Sequence, residues 1–169
     1  FAFSGLDPLC AAGADAGAGN SCGIHIHAGH TCTDHALVLG HYFTGTVAAD
    51  PWVPPVNYTT SDGTASGSLS VTTGGAAADV AGRAFVVHSY SGARIACALL
   101  GEGATLSATD FVPYPPYVGN AGLSFDVSGS VTQMVTVGTT QTFDYAFTGL
   151  DTASGSPPRT LRVTRSTRQ

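Results

Sequence analysis

The sequence predicts an all-β protein in which short strands form a sandwich. The first observation is composition: glycine accounts for 22 of the 169 residues, lysine is absent and glutamate occurs once, so the residues that fill long helices are scarce. The second is alternation, because several segments carry an apolar residue at every second position and none shows a convincing 3.6-residue period. The third is spacing, since turn-forming Gly, Pro and Ser clusters separate these segments at short intervals.

The predicted strands follow one another along the chain, with loops between them. Residues 8–21 form a Gly/Ala-rich loop, and residues 29–55 form a long loop of the kind that is usually functional or held by a crosslink. A turn at Ser91-Gly92 predicts a hairpin between the strands that flank it. The strands are predicted at 1–6, 22–28, 56–60, 66–72, 84–89, 94–100, 123–137 and 142–150.

The best internal boundary is a proline-rich segment at 112–122. Its sequence, VPYPPYVGNAG, contains three prolines that fix φ and remove backbone donors, so we expect no regular structure there. This linker separates a first sandwich unit at 1–111 from a strand pair at 123–151. An Arg-rich tail at 152–169 is expected to be flexible and solvated.

Charge is distributed unevenly along the chain. The formal net charge is -5, but residues 1–158 hold only two arginines against eleven acidic residues. Such an acidic body argues against nucleic-acid binding, and no apolar run is long enough to cross a bilayer. The chain opens on a strand-like segment without Met or a signal peptide, which suggests a processed protein or a fragment.

The cysteines point to an oxidising compartment. There are four of them, an even number that fits two disulfides in a secreted protein. The alternatives are buried free thiols or a four-Cys zinc site, and the lack of any close C-x-x-C pair argues against zinc. The sequon at 57–59 makes Asn57 a candidate glycosylation site.

Histidines form the candidate metal site. His25 and His27 project from the same face of a predicted strand with their Cβ atoms ~7 Å apart, so both can bind one ion. His88 interrupts an apolar strand, and His41 lies on a loop that can fold back. All six histidines fall within residues 25–88, which favours a shared site over a pair of surface imidazoles.

Three segments resemble the copper/zinc superoxide dismutases. GIHIH at 23–27 resembles the family's G-F-H-V-H strand, GRAFVVH at 82–88 resembles its G-R-x-x-V-V-H strand, and GARIACALL at 92–100 resembles its G-S-R-L-A-C-G-V-I strand. The motifs occur in the family's order, and the resemblance covers roughly residues 1–111. It implies a Greek-key β-sandwich or flattened barrel of the superoxide dismutase type.

The resemblance also implies a set of copper ligands. His41, within GHYF, matches the ligand that bridges copper and zinc in the zinc-containing enzymes, and it follows His27 by nearly the family's spacing. His30 and His35 are the alternatives for this role. The other implied copper ligands are His25, His27 and His88.

The resemblance assigns roles to an arginine and to the cysteines as well. Arg94 matches the arginine that guides the superoxide anion beside copper. Cys97 matches one half of the family's disulfide, whose implied partner is Cys32, and this leaves Cys10 to pair with Cys22. The longer crosslink is expected to add roughly 4 kcal/mol of stability through loop closure.

The differences from the family argue against a zinc ion beside the copper. No histidine lies between His41 and His88, and Asp50, Asp62 and Asp79 alone make a poor zinc site. The chain therefore looks closest to the copper-only superoxide dismutases. If it is active, copper alternates between two oxidation states, with Arg94 holding superoxide and His41 carrying a proton; the acidic body predicts weak anion steering.

Two seven-residue segments, one near each end of the chain, have similar sequences. FAFSGLD at 1–7 and YAFTGLD at 145–151 share five of seven residues, which chance explains less well than a repeated unit. The family's N-terminal strands are displaced to 123–151. These strands either fold back as a circular permutation, enter a neighbouring copy by strand donation, or belong to a tandem array; we expect donation or an array.

Two functions from different classes follow. One is a secreted copper-only enzyme that dismutates superoxide. The other is a structural subunit of an extracellular filament or coat that associates with copies of itself through donated strands and keeps a vestigial metal site. The histidines and Arg94 favour the enzyme, whereas the repeat and the Ser/Thr/Gly-rich body favour the subunit.

Overall fold

A computed structural model describes residues 6–54, 56–61, 63–101, 106–115 and 127–148. These residues form two four-stranded antiparallel sheets, which confirms the all-β prediction. Helical structure among them is limited to single turns. In chain order the elements are a 3₁₀ helix at Pro8–Ala12, β1 (Ile24–Ile26), α1 (His35–Val38), β2 (Ala65–Thr72), α2 (Ala77–Val80), β3 (Ala84–His88), β4 (Arg94–Leu99), β5 (Leu106–Ala108), β6 (Val112–Pro113), β7 (Ser128–Val137) and β8 (Thr140–Thr148).

The first sheet has the strand order β1-β3-β4-β6. β3 and β4 form the predicted hairpin, in whose register His88 lies opposite Arg94. β1 pairs with the other edge of β3, where His25 lies opposite Val86. The register therefore brings two histidines and the arginine to adjoining strands of one sheet.

The second sheet has the strand order β2-β8-β7-β5. β8 pairs with β2 from Ala65 opposite Phe147 to Thr72 opposite Thr140. β7 pairs with β8 and with β5. The C-terminal strand pair thus lies in the second sheet of its own chain.

The main core lies between the two sheets. Phe85 on β3 and Phe143 on β8 meet edge to face with their ring centroids 5.3 Å apart. Alternation along β8 explains this placement, because Gln141, Phe143 and Tyr145 are buried whereas Thr142 between them is exposed. Burial of a large apolar side chain contributes about 1.5–3 kcal/mol, so such contacts hold the sheets together.

The opposite face of the first sheet is covered by the 29–55 loop. Along β3, Phe85 and Val87 belong to the main core, whereas Ala84 and Val86 point to the other side. His88 has the same parity as Ala84 and Val86. The candidate site side chains therefore lie outside the main core, between the first sheet and the loop. A smaller apolar cluster fills this layer: Cys32, Val38, Ala84, Val86, Cys97 and Tyr114.

The structure differs from the sequence prediction at short elements. β6 forms within the proline-rich segment, so the expectation of no regular structure at 112–122 is wrong at Val112–Pro113. β6 is an edge strand, where the donor that proline lacks is not needed. The predicted strand at 56–60 is reduced to a single bridge between Gly23 and Asn57.

Several predicted features lie outside the described residues. They are the strand at 1–6 except for its last residue, the start of the strand at 123–137, the last two residues of the strand at 142–150, and the tail at 152–169. Within the described part of the chain, no helix is long and apolar enough to cross a membrane.

Candidate metal centre

Two neighbouring strands and the long loop supply four imidazoles. His25 and His27 flank Ile26 at the end of β1 and project away from the main core, and both are buried. His88 ends β3 and is also buried. His41 comes from the loop and pairs with His27 through an antiparallel bridge, and their rings lie nearly perpendicular to each other.

The four rings face one another. The ring centroid of His25 lies 4.4 Å from that of His41 and 4.9 Å from that of His88. The centroid of His27 lies 5.3 Å from that of His41 and 5.7 Å from that of His88. One nitrogen from each of His25, His27 and His41 lies within 4.8 Å of the other two. This cluster could hold a single metal ion, with His88 beside it.

Three of the rings use one nitrogen for a protein contact and leave the other without a partner. Each Nδ1 donates to an oxygen of the surrounding loops, which fixes the tautomer with its lone pair on Nε2. Each Nε2 is buried without a hydrogen-bond partner. The Nδ1 contacts are His27 with the Leu39 carbonyl at 3.0 Å, His88 with the Gly92 carbonyl at 2.9 Å and His41 with the Asp50 carboxylate at 2.8 Å.

His25 sits in a cradle that only glycine leaves open. Neither of its ring nitrogens has a partner with good hydrogen-bond geometry, although both are buried and the Val56 backbone is near enough to act on the pKa of the ring. A side chain at position 23 would place its Cβ 2.7 Å from Nε2 of His25, so Gly23 makes room for the ring. Buried polar atoms are normally paired, and a metal ion would satisfy one of these two nitrogens.

Burial keeps the imidazoles of His25, His27 and His88 neutral. Desolvation lowers the pKa of His27 to about 3, although its bond to the Leu39 carbonyl acts in the opposite direction. Desolvation likewise lowers the pKa of His88 to about 4. The pKa of His25 is lowered still further, by burial and by the neighbouring imidazoles. Neutral rings keep the lone pairs that metal binding requires.

Asp50 anchors the loop that carries His41. Its second carboxylate oxygen accepts the backbone N–H of Trp52 at 2.9 Å, and the indole of Trp52 donates to the Tyr42 carbonyl at 3.0 Å. Trp52 is fully buried, with its ring 5.6 Å from that of His25. The sequence identified Asp50 only as a weak zinc ligand. Its position before Pro51-Trp52 is the signal that could have suggested a turn-forming role.

Arg94 lies at the rim of the cluster. Its guanidinium donates to the Tyr114 hydroxyl at 2.7 Å and to the Leu39 carbonyl at 2.6 Å. The same carbonyl accepts the hydrogen bond from His27, so one oxygen orients both a candidate ligand and the arginine. Leu39 has φ +62°, a strained conformation for a branched residue, and such strain often occurs at functional sites.

The other predicted residues fall at distinct places. The structure pairs Cys32 with Cys97 and Cys10 with Cys22, as the resemblance implied. The first bond ties the loop to β4 three residues beyond Arg94. The alternatives His30 and His35 are exposed and lie outside the cluster, and Asp79 caps α2; Asp62 lies outside the described residues.

Comparisons with known proteins leave the site to be interpreted from its own chemistry. No protein-family model, curated protein or solved structure matches this chain. The interpretation of the histidine cluster therefore rests on its geometry and on the three sequence motifs.

Proposed function

We propose that this chain is a secreted, copper-binding domain of the superoxide dismutase type that dismutates superoxide without zinc. The observation that carries the proposal is the set of four convergent imidazoles, whose inward-facing nitrogens are buried and have no protein partner. An all-imidazole site suits copper, zinc, iron or nickel. The three motifs that contain His25, His27, His88 and Arg94 favour copper among these.

The hydrogen bond of His41 supports a site without zinc. An imidazole that bridges two metals needs both ring nitrogens as ligands. Nδ1–H of His41 donates a hydrogen bond to the Asp50 carboxylate at 2.8 Å, which leaves only Nε2 for a metal. The aspartate thus holds the ring in the orientation that a second metal would otherwise impose.

The chain's own residues supply binding and proton handling. Copper held by these histidines would supply one-electron redox chemistry, and the overall reaction would convert two superoxide anions and two protons into dioxygen and hydrogen peroxide. His41 is the candidate proton carrier, since its Nδ1–H donates to Asp50 while its Nε2 has no protein partner. Arg94 uses two donors on Tyr114 and Leu39, and its remaining N–H groups can hold the anion.

Secretion is proposed on two grounds. Two disulfides in a chain of this size fit an oxidising compartment. Asn57 and Thr59 of the sequon are both exposed, as glycosylation in such a compartment requires.

Metal analysis combined with a superoxide assay tests the proposal. We expect the chain loaded with Cu(II) to retain one copper after dialysis and to consume superoxide catalytically. His88→Ala removes a candidate ligand and should lower the rate roughly a hundredfold or more, because even residues that only support a ligand contribute 10–100-fold. The matched control is His30→Ala, an exposed histidine outside the cluster, which should leave both properties unchanged.

A second variant separates anion binding from metal binding. Arg94→Ala should retain copper and lose both rate and salt dependence, since the arginine supplies the local positive charge. Copper binding without superoxide consumption in the parent chain would refute the enzyme while leaving the metal site standing. A parent chain that retains no copper would refute both.

A further inference from the structure

The guanidinium of Arg94 is held by two different acceptors, one on each terminal nitrogen. Nη1 donates to the Tyr114 hydroxyl at 2.7 Å, and Nη2 donates to the Leu39 carbonyl at 2.6 Å. A guanidinium carries its N–H donors in a planar fork, so Nε–H and one hydrogen on each terminal nitrogen are not used by these two bonds. Two separate acceptors fix the plane of the fork, whereas a single one would let it rotate about that bond.

The Tyr114 hydroxyl is itself oriented by the loop. It lies 3.4 Å from the His35 carbonyl, to which it donates, so its oxygen is left to accept from Arg94. His35 begins α1 and Leu39 follows the end of α1, and the Asp34 carboxylate caps this helical turn. The two anchors of the arginine therefore lie at opposite ends of one short element.

The position of Tyr114 is fixed by contacts that do not involve the arginine. Its backbone N–H donates to the Ile95 carbonyl at 3.0 Å, directly after the residues of β6 that pair with β4. Its side chain is buried in the small apolar cluster that contains Cys32 and Cys97. Its ring also meets the ring of His35 edge to face, with centroids 5.5 Å apart. The tyrosine is therefore a well-held group against which the longer arginine side chain is placed.

The arginine held in this way lies next to the histidine cluster. Arg94 is opposite His88 in the register of β3 and β4, and the Leu39 carbonyl that it uses also accepts from His27. Burial is the main cause of the lowered pKa of His88, and the charge of Arg94 lowers this pKa further. The guanidinium is therefore within electrostatic reach of the candidate ligands, so its orientation decides where its unused N–H groups point.

Building on the proposed function, in which Arg94 holds superoxide, we propose that Tyr114 is the positioning residue of the anion site. Its hydroxyl sets the plane of the guanidinium so that the unused N–H groups face an anion at the histidine cluster. Tyr114 acts only through Arg94 and does not touch the anion. The proline-rich segment at 112–122, predicted as a linker, thus supplies part of the site, because β6 pairs along the edge of β4 and brings Tyr114 to the arginine.

Tyr114→Phe tests this role, since it keeps the ring and removes only the hydroxyl. In the chain loaded with Cu(II), we expect the copper content to stay unchanged. The affinity for azide, a small anion used as the probe, should fall about tenfold, the lower end of what a hydrogen bond to a charged group contributes. The matched control is Tyr90→Phe, whose side chain packs against the main core and which should leave azide affinity at the parental value.

A double substitution separates positioning from a general structural effect. Arg94→Ala alone should weaken azide binding at least as much as Tyr114→Phe does. In the Arg94→Ala background, adding Tyr114→Phe should change azide affinity by less than about twofold, because the tyrosine acts only through the arginine. Equal losses in both backgrounds, parental affinity in Tyr114→Phe, or parental affinity in Arg94→Ala would each overturn the proposal.

A measurement on the metal-free chain makes failure of this proposal distinguishable from failure of the enzyme. With isotope-labelled arginine, the NMR signals of the Arg94 guanidinium are assigned from their absence in Arg94→Ala. Their hydrogen exchange should be about tenfold faster in Tyr114→Phe than in the parent or in Tyr90→Phe, because a held N–H exchanges slowly. A parent that consumes no superoxide refutes the enzyme and leaves this comparison intact. Exchange as fast in the parent as in Tyr114→Phe overturns the positioning role, whether or not copper binds.

Discussion

Both sheets have four antiparallel strands, and they differ in the residues at the positions that face away from the main core. On the first sheet, outward side chains include His25, His27 and His88, all of them buried, and the loop before Pro55 contributes to their cover through Leu39 and Trp52. On the second sheet, outward hydroxyls pair across β2 and β8 in full contact with solvent, as Ser70 does with Thr142. Alternation builds both faces, and the presence of a covering loop decides which face can support chemistry.

Burial matters because it changes the hydration and the protonation of the imidazoles. A histidine on an exposed face titrates near neutrality and is satisfied by water. Beneath the loop, the same residue loses its water, stays neutral and keeps an unpartnered nitrogen. The second sheet lacks such a lid over its described hydroxyls, and its contribution is to close the core and to present an edge.

The largest expected difference between the sheets is the response of the metal-free protein to acid. His25, His27 and His88 each have a pKa below the ordinary 6.5 in the folded state, so the unfolded chain binds more protons below pH 6.5. Stability should therefore fall as pH falls from 6.5 toward 4. At pH 5 the loss is about 2 kcal/mol for each histidine, or about 6 kcal/mol for all three.

Urea unfolding of the metal-free chain at pH 7 and pH 5 measures this loss. His27→Ala should remove about a third of the pH dependence, whatever it does to stability at pH 7. A stability that does not change between the two pH values would show that the buried imidazoles are not neutral in the folded state. Thr142→Ala serves as the control, since it removes an exposed group that does not titrate and should leave the slope in place.

The next effect compares the two disulfides. Cys32–Cys97 closes a loop with a sequence separation of 65 residues, and Cys10–Cys22 closes one of 12. Loop-closure entropy predicts that paired alanine substitution costs about 4 kcal/mol for the first bond and about 3 kcal/mol for the second. Denaturant unfolding at neutral pH checks the order, and a larger loss for Cys10→Ala/Cys22→Ala would contradict it.

The first bond should also affect the metal. It fixes the loop that carries His41 to the sheet that carries His88, so its loss leaves the ligands less well held. Copper affinity should fall in Cys32→Ala/Cys97→Ala by about tenfold or more, the scale of supporting interactions around a ligand.

Sequence reasoning succeeded where a pattern spans enough residues. Alternation over β1, β3 and β4 predicted those strands, and the clustering of histidines identified the residues that the structure brings together. β5 and α1 were missed because three or four residues are too few to show a period. The Asp50–His41 contact was missed for another reason: it joins two positions of an irregular loop whose path is set by tertiary packing around buried Trp52.

The smallest expected changes in stability come from substituting polar side chains of the second sheet, and they differ between a buried group and an exposed pair. Gln141→Ala removes a buried amide and leaves the Gly75 carbonyl and the Thr73 hydroxyl without that partner, which should cost about 1–3 kcal/mol. Ser70→Ala/Thr142→Ala removes an exposed pair, for which we expect a change within about 0.5 kcal/mol. Both variants should retain copper and superoxide consumption at parental levels. Loss of copper in either would mean that the two sheets are coupled, and that the covering loop alone does not define the metal centre.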